Sequence, residues 1–192
     1  MTETCGPKRR FTLKRYLRDY ASLLAIAFMI VTFDQWTKML VRTNLAFGDM
    51  WSPWPWLTPY LRIVHWKNTG AAFGMLPGLG DVFTVLAVIV AVAILYYYPR
   101  IPREDWYLRL AMALQFGGAL GNFIDRLLLG SVTDFVSIGP FPVFNVADAC
   151  ITMGTVILIA GMWYKERVGV PEDDSPSPES ANAPVAEELK GE

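Results

Sequence analysis

The sequence predicts an all-α integral membrane protein with four transmembrane helices. Between the first two lies a small extracytoplasmic loop region with room for some β structure. Three observations carry this expectation. Of the 192 residues, 53% are hydrophobic and 18% are charged, against about 45–50% and about 25% for a soluble domain. The charges are clustered rather than spread along the chain. Four stretches meet the length of ~20 mostly apolar residues that a helix needs to cross a bilayer.

The first stretch runs from about Tyr20 to Val41 and the second from about Leu79 to Tyr98. The third runs from about Trp106 to Leu129 and the fourth from about Val146 to Tyr164. The second has no charge between Asp81 and Arg100. The others carry ionisable groups, which are costly in hydrocarbon and therefore informative. The basic start followed by Ala21–Phe33 also fits a secretory signal peptide. No small-x-small cleavage site follows it, however; the chain continues Asp34-Gln35-Trp36-Thr37-Lys38.

Orientation follows from Lys and Arg in the connecting segments. Lys8, Arg9, Arg10, Lys14, Arg15 and Arg18 precede the first span, Arg100 and Arg103 follow the second, and Lys165 and Arg167 follow the fourth. The other side holds Arg62 and Lys67 in a long loop. Both termini are therefore expected in the cytoplasm, with residues ~43–78 and ~130–144 outside. The chain divides into a basic N-terminal segment (1–19), a four-span domain (20–166) and an acidic tail (167–192). From Pro171 to Glu192 the tail has seven acids and one Lys, a composition that cannot bury enough apolar surface to order itself.

Cysteine and histidine usage closes off several chemistries. Cys5 and Cys150 are expected on opposite sides of the membrane, so no disulfide joins them. The single histidine, His65, reads as an exposed loop residue, and one His without a nearby Cys makes no zinc set. No metal and no cofactor are expected.

The polar residues of the spans are the candidate site. Asp34, Thr37 and Lys38 share a helix face at i, i+3 and i+4; the simplest role is a self-neutralised pair whose Lys snorkels to the headgroups. In the third span, Gly117 and Gly121 permit close helix approach, while Gly118, Asn122 and Asp125 form a polar stripe flanked by Arg126. At the fourth span, Asn145 and Asp148 have capping spacing, yet the polar face continues through Thr152 and Thr155. Asp134 lies between spans three and four, where it could be an ordinary loop acid.

Threading the spans brings Asp34, Asn122, Asp125, Arg126, Asp134, Asn145 and Asp148 to the outer part of the membrane, with no comparable cluster expected at the inner face. Paired carboxylates in a low-dielectric site share a proton, and such a pair can activate water and protonate a carbonyl oxygen. On the residues alone, ion or proton translocation and purely structural polarity stay open beside peptidase chemistry.

Five motifs then occur in order: Asp34-Gln35-Trp36-Thr37-Lys38, Asn68-Thr69-Gly70-Ala71-Ala72-Phe73, Gly118 through Arg126, Val132-Thr133-Asp134-Phe135 and Phe144-Asn145-Val146-Ala147-Asp148. Together they resemble the bacterial lipoprotein signal peptidases, or signal peptidase II. The resemblance implies an aspartic endopeptidase with Asp134 and Asp148 as its catalytic pair. It implies supporting roles for Asp34, Lys38, Asn68, Gly70, Ala72, Gly118, Asn122, Asp125, Arg126 and Asn145. The implied substrate is a diacylglyceryl-modified prolipoprotein, cut just before the lipidated cysteine, at the outer face of the bacterial cytoplasmic membrane. Membrane lipids are the other expected partners; nucleic acid is not, and a monomer is expected. A non-catalytic lipoprotein-binding module and a small proton-coupled transporter are the rival classes. Sequence position fits the pair: Asp34 has Lys38 nearby and Asp125 has Arg126, whereas neither Asp134 nor Asp148 has a basic neighbour. The Trp/Pro-rich run Trp51–Trp56 and the long acidic tail depart from the family pattern; the former suits the membrane interface.

Overall fold

A computed structural model describes residues 13–70 and 79–168. The N-terminal basic cluster at 8–10, Cys5, Ala71, Ala72, Phe73 and nearly all of the acidic tail lie outside these residues.

Four long helices form a bundle: α1 (Leu13–Asn44), α2 (Gly80–Tyr97), α3 (Trp106–Leu129) and α4 (Val146–Val168). The bounds of α3 are those expected from the sequence. Helix α1 starts about two turns earlier than the apolar stretch, because the Leu, Lys and Arg residues of 13–18 are good helix formers. Among the described residues, α1, α2 and α4 are long and apolar enough to cross a membrane. Helix α3 has the length, at 24 residues or about 36 Å. Its composition is more polar, because it packs in the middle of the bundle against the other three helices.

The outside of the bundle is greasy. Phe28, Phe33, Val85, Ile89, Val92 and Ile159 are all more than half exposed, as expected of a surface that lies in lipid rather than water. Inside, Leu23 and Ala27 of α1, Ile94 and Tyr98 at the end of α2, and Ala113 and Phe116 of α3 form the apolar core. Small residues let α3 and α4 approach closely. A Cβ on Gly118 would meet the Ala147 carbonyl oxygen at 2.5 Å, and one on Gly154 would meet the Ala111 carbonyl oxygen at 2.7 Å.

One end of the bundle carries a three-stranded antiparallel sheet in the order β1 (Met50–Trp51), β2 (Leu61–Asn68), β3 (Val132–Ile138). Some β structure was expected after α1, but β3 was expected as loop. Strand β3 pairs with β2, more than sixty residues earlier, matching Asn68 with Val132 and Trp66 with Asp134. Such pairing leaves no local mark beyond a short apolar run. Gly130 makes the sharp exit from α3: its φ of 69° is left-handed, and its N–H donates to the Arg126 carbonyl at 3.0 Å. His65 is a strand residue, 8% exposed, with Nδ1 2.8 Å from the Leu45 carbonyl oxygen. The expectation of an exposed loop residue is therefore corrected, because pairing of β2 with both neighbours covers it.

Candidate active site

The site is built where the last turns of α1 and α3, the first turn of α4 and strand β3 meet. Helix α1 contributes Asp34 and Lys38, one turn apart. Both are fully buried, and they form an ion pair at 2.8 Å. The expected snorkelling of Lys38 does not occur. Its ammonium stays inside, 3.3 Å from Asp125 Oδ2, and donates to Asn122 Oδ1 at 3.0 Å. Two carboxylates and an amide hold it there more strongly than headgroups at a distance. The other Asp34 oxygen accepts from the Ala147 N–H at 2.9 Å, which ties α1 to the first turn of α4. Gly121 makes room for this carboxylate, since a Cβ there would meet Asp34 Oδ2 at 2.7 Å.

Asp125 was expected to be held by Arg126. It is held instead by Lys38 and by Arg42, whose guanidinium lies 3.5 Å away. Adjacent helical residues point in different directions, so Arg126 turns away and donates to the Gly70 carbonyl at 3.4 Å. Asp125 also accepts from the Thr133 N–H at 2.9 Å, and Arg42 donates to the Thr133 hydroxyl at 3.1 Å. The start of β3 is thereby fixed one residue before Asp134.

Asn145 and Asp148 form a reciprocal cap. The Asp148 N–H donates to Asn145 Oδ1 at 2.9 Å, and the Asn145 N–H donates to Asp148 Oδ2 at 3.3 Å. The expected capping role is real, and it coexists with the cluster. The Asn145 amide also donates to Asp134 Oδ1 at 2.7 Å and to Asn122 Oδ1 at 3.2 Å. The Asn122 amide in turn donates to Asp148 Oδ1 at 2.7 Å. The second Asp134 oxygen accepts from Asn68 at 2.9 Å. Asn68 reaches it because it lies opposite Val132, and residues two apart on a strand share a face. Asn68 Oδ1 also receives the Gly70 N–H at 2.9 Å.

Asp134 and Asp148 thus gather around Asn145, with no ion pair to either among the described residues. Burial, and next to it the charge of Asp148, push the Asp134 carboxyl up to about 7; the amides of Asn68 and Asn145 and the charge of Lys38 oppose this. Among the described residues of the cluster, four carboxylates (Asp34, Asp125, Asp134, Asp148) face three cations (Lys38, Arg42, Arg126). One bound proton balances them.

A cavity of about 520 Å3 opens on Asp148, Asn122, Arg126 and Asn68. Apart from Thr152 its other walls are apolar, including Phe141, Phe144, Ile151 and Met153. Asp134 is 1% exposed and does not itself line the cavity; Asn68, which does, donates to it. The polar face of α4 reaches the cavity through Thr152. Thr155 instead turns its hydroxyl to the Ile151 carbonyl and stands outside.

Sequence reasoning missed three contributors. Gln35 donates to Asp34, to the Gly121 carbonyl and to Asp125, at 3.3, 3.0 and 3.1 Å. Arg42 and Thr133 make the contacts given above. Arg42 was legible as the next helical turn after Asp34 and Lys38; Gln35 and Thr133 sit inside quoted motifs without a pattern of their own. The expectation that the other end of the bundle lacks a polar cluster is also wrong. There Asp19, 2% exposed, accepts from Arg103 at 2.9 Å and from Arg109 at 2.8 Å. The three come from separate segments, so only tertiary packing reveals them.

No group of three or more metal-binding side chains occurs among the described residues. A family model described as signal peptidase (SPase) II matches residues 26–164, the stretch that holds the entire cluster. Lipoprotein signal peptidases of Staphylococcus aureus strains JH9 and Newman are each 36% identical over 153 residues, covering 78% of this chain and 91% of theirs. Two solved structures are alike, each described as a bacterial membrane enzyme structure by the in meso method. The one at 2.3 Å has a TM-score of 0.73 and 32% identity, covering 80% of this chain and 94% of its own. The one at 1.9 Å has a TM-score of 0.66 and 35% identity, covering 74% and 92%. A match along most of the sequence, with relatives and folds alike over nearly their whole length, means that this multi-pass membrane chain belongs to the signal peptidase II family.

Proposed function

We propose that the chain is a membrane-embedded aspartic endopeptidase in which Asp134 and Asp148 are the catalytic pair. It removes the signal peptide from diacylglyceryl-modified prolipoproteins, cutting just before the lipidated cysteine. The observation that carries this reading is the division of labour among four acids, Asp34, Asp125 and Asp134 buried and Asp148 half-buried on the cavity wall. Asp34 and Asp125 are neutralised by Lys38 and Arg42 and bind backbone N–H groups, which suits them to holding helices and strand in place. Asp134 and Asp148 have only amide partners close by and sit about one shared residue, Asn145.

The pair shares one proton, because two adjacent carboxylates in a dry site do not both ionise. The ionised member takes a proton from water as the water oxygen attacks the scissile carbonyl carbon. The protonated member gives its proton to the carbonyl oxygen. The gem-diol intermediate collapses as the leaving nitrogen takes the pair's proton and a diol hydroxyl gives its own to the other carboxylate, so the C–N bond breaks and the pair again holds one proton. Substrate enters past Asn68, whose amide turns from Asp134 to the peptide backbone. Arg126 and the Gly70–Ala72 segment receive the extended chain, and the apolar cavity walls receive its side chains and acyl groups.

The proposed topology makes α3 a fourth span, both termini cytoplasmic and the site at the outer face. A central helix shielded by three apolar ones tolerates polar residues that a lipid-facing helix does not. A lipidated precursor anchored in the outer leaflet then presents its scissile bond at the depth of the carboxylates.

The test is single-turnover cleavage of a diacylglyceryl-modified prolipoprotein by the purified full chain, alongside precursor binding. Asp134→Asn and Asp148→Asn lose turnover by about 10³-fold or more and keep binding. Asp34→Asn and Asp125→Asn retain residual turnover. Near-normal cleavage by either of the first two overturns the pair.

A further inference from the structure

The end of the bundle remote from the carboxylates holds a second cavity, of about 440 Å3, between the start of α1, the segment after α2 and the start of α3. Asp19 lies 15 residues before Asp34 on α1, which places this cavity about 22 Å from the site along the helix axis. Its charged lining is Arg18, Asp19, Arg103 and Arg109; its apolar lining includes Ile26, Trp106 and Leu110. We propose that this cavity is a binding site for one anionic phospholipid, its phosphodiester held by the arginines and an acyl chain lying on Ile26 and Leu110.

Charge is the first argument. Asp19 is the only acid in the lining and is already bonded to both Arg103 and Arg109. Arg109 is further held by the Ile101 carbonyl at 3.1 Å and by the ring of Tyr98, 4.3 Å from its guanidinium carbon. Three guanidinium groups against one carboxylate leave two positive charges in excess. Arg18 has no acidic partner among the described residues, and Arg103 is partly exposed. Asp19 takes the Nε and Nη2 donors of Arg103 at 3.1 and 2.9 Å, which orients the guanidinium and leaves its Nη1 edge to meet a phosphate oxygen.

The depth profile is the second argument, and it selects a lipid over a soluble phosphate. From Arg18 the α1 face of the cavity runs through Ser22 to Ile26, about 12 Å along the axis, passing from cationic to apolar. On α3 it runs from Trp106 to Leu110. A cationic mouth over an apolar wall between membrane helices matches a headgroup with its chain, and basic pockets of this kind hold anionic lipids. Trp106 at the mouth is 66% exposed, in keeping with a position at the interface.

Native mass spectrometry of the full chain in detergent tests this, with phosphatidylglycerol, phosphatidylcholine and inorganic phosphate as probes. One phosphatidylglycerol is retained in preference to phosphatidylcholine. Arg18→Gln weakens its retention roughly five-fold, the worth of one arginine near a lipid surface, and Arg18→Lys restores most of it. Arg103→Gln weakens it further; should that variant fold poorly, Arg18→Gln, which breaks no ion pair, decides alone. Arg167→Gln, which removes a charge outside the cavity lining, leaves retention unchanged. Equal retention by wild type and Arg18→Gln overturns the site. So does an equal loss in Arg167→Gln, which would signify diffuse attraction, and so does displacement of the lipid by millimolar inorganic phosphate.

Discussion

Replacing Asp134 with Asn should separate chemistry from stability in a pH-dependent way. Both oxygens of Asp134 accept from amide donors, Asn145 at 2.7 Å and Asn68 at 2.9 Å. An Asn there has one acceptor oxygen, so its own amide must face a donor. That mismatch in a buried site costs about 1–3 kcal/mol at any pH. Against it stands the cost of the carboxyl itself, held at about 7 in the folded protein against an ordinary 3.8. Between those two values the unfolded chain has released this proton and the folded chain retains it. The folded state binds more protons there, so its stability falls as pH rises, by roughly 4 kcal/mol in all by pH 7 and above. The substitution removes that cost. Asp134→Asn is therefore expected to be less stable than wild type by about 1–3 kcal/mol at pH 4. At pH 8 it is expected to be as stable or more so, by up to about 3 kcal/mol. Thermal unfolding in detergent across pH 4–8.5 reads the crossover, and a precursor-cleavage assay on the same samples shows the loss of turnover. A variant destabilised equally at both ends of that range would refute the raised carboxyl.

Three further outcomes are expected. Lys38→Met strips the cation from fully buried Asp34 and should lower stability by about 3–5 kcal/mol; adding Asp34→Asn should recover part of it, and a midpoint within experimental error of wild type would discount the pair. Gly118→Ala puts a Cβ 2.5 Å from the Ala147 carbonyl and 2.8 Å from Ile151 Cγ1, so α4 must shift at the turn that carries Asp148, costing about 1–3 kcal/mol together with most of the turnover. In a Cys-free background, cysteines at Ser52 and Pro140 should label from outside the cell and those at Pro102 and Ser177 only from the cytoplasm; labelling of Ser52 and Ser177 from one side would rule out four spans.

The elements that bury apolar surface in bulk were readable from residue order alone. The ends of α3 at Trp106 and Leu129 follow from the hydrophobic run and the glycine after it. The convergence of Asp34, Asp125, Asp134 and Asp148 followed from threading the expected helices up and down, which brings these acids to one end of the bundle. What stayed hidden depends on partners far away in sequence. Nothing near Asp134 announces that Val132–Ile138 pairs with Leu61–Asn68. Nothing near Lys38 announces that Asn122 and Asp125 will join Asp34 around it, so the expected Asp34–Lys38 pair forms but its lysine is held inside rather than snorkelling. Asp125 shows the same limit: Arg126 is adjacent in sequence but lies on another face of the helix, while Arg42, 83 residues earlier, reaches it.

The spacing of Asp34 and Lys38 has a consequence for biogenesis. A helix inserted alone meets lipid before its neighbours exist, and an isolated charge at that moment is expensive. Because these two residues are one turn apart on a single helix, their ion pair needs nothing but α1 itself. The apolar stretch of the first helix, residues 20–41, can therefore enter the bilayer with no net charge, since Asp34 and Lys38 are its only charged residues. When α3 emerges, Asn122 and Asp125 dock on a lysine already in place. The ammonium that later steadies the finished site thus first serves as the escort of its own aspartate through the membrane.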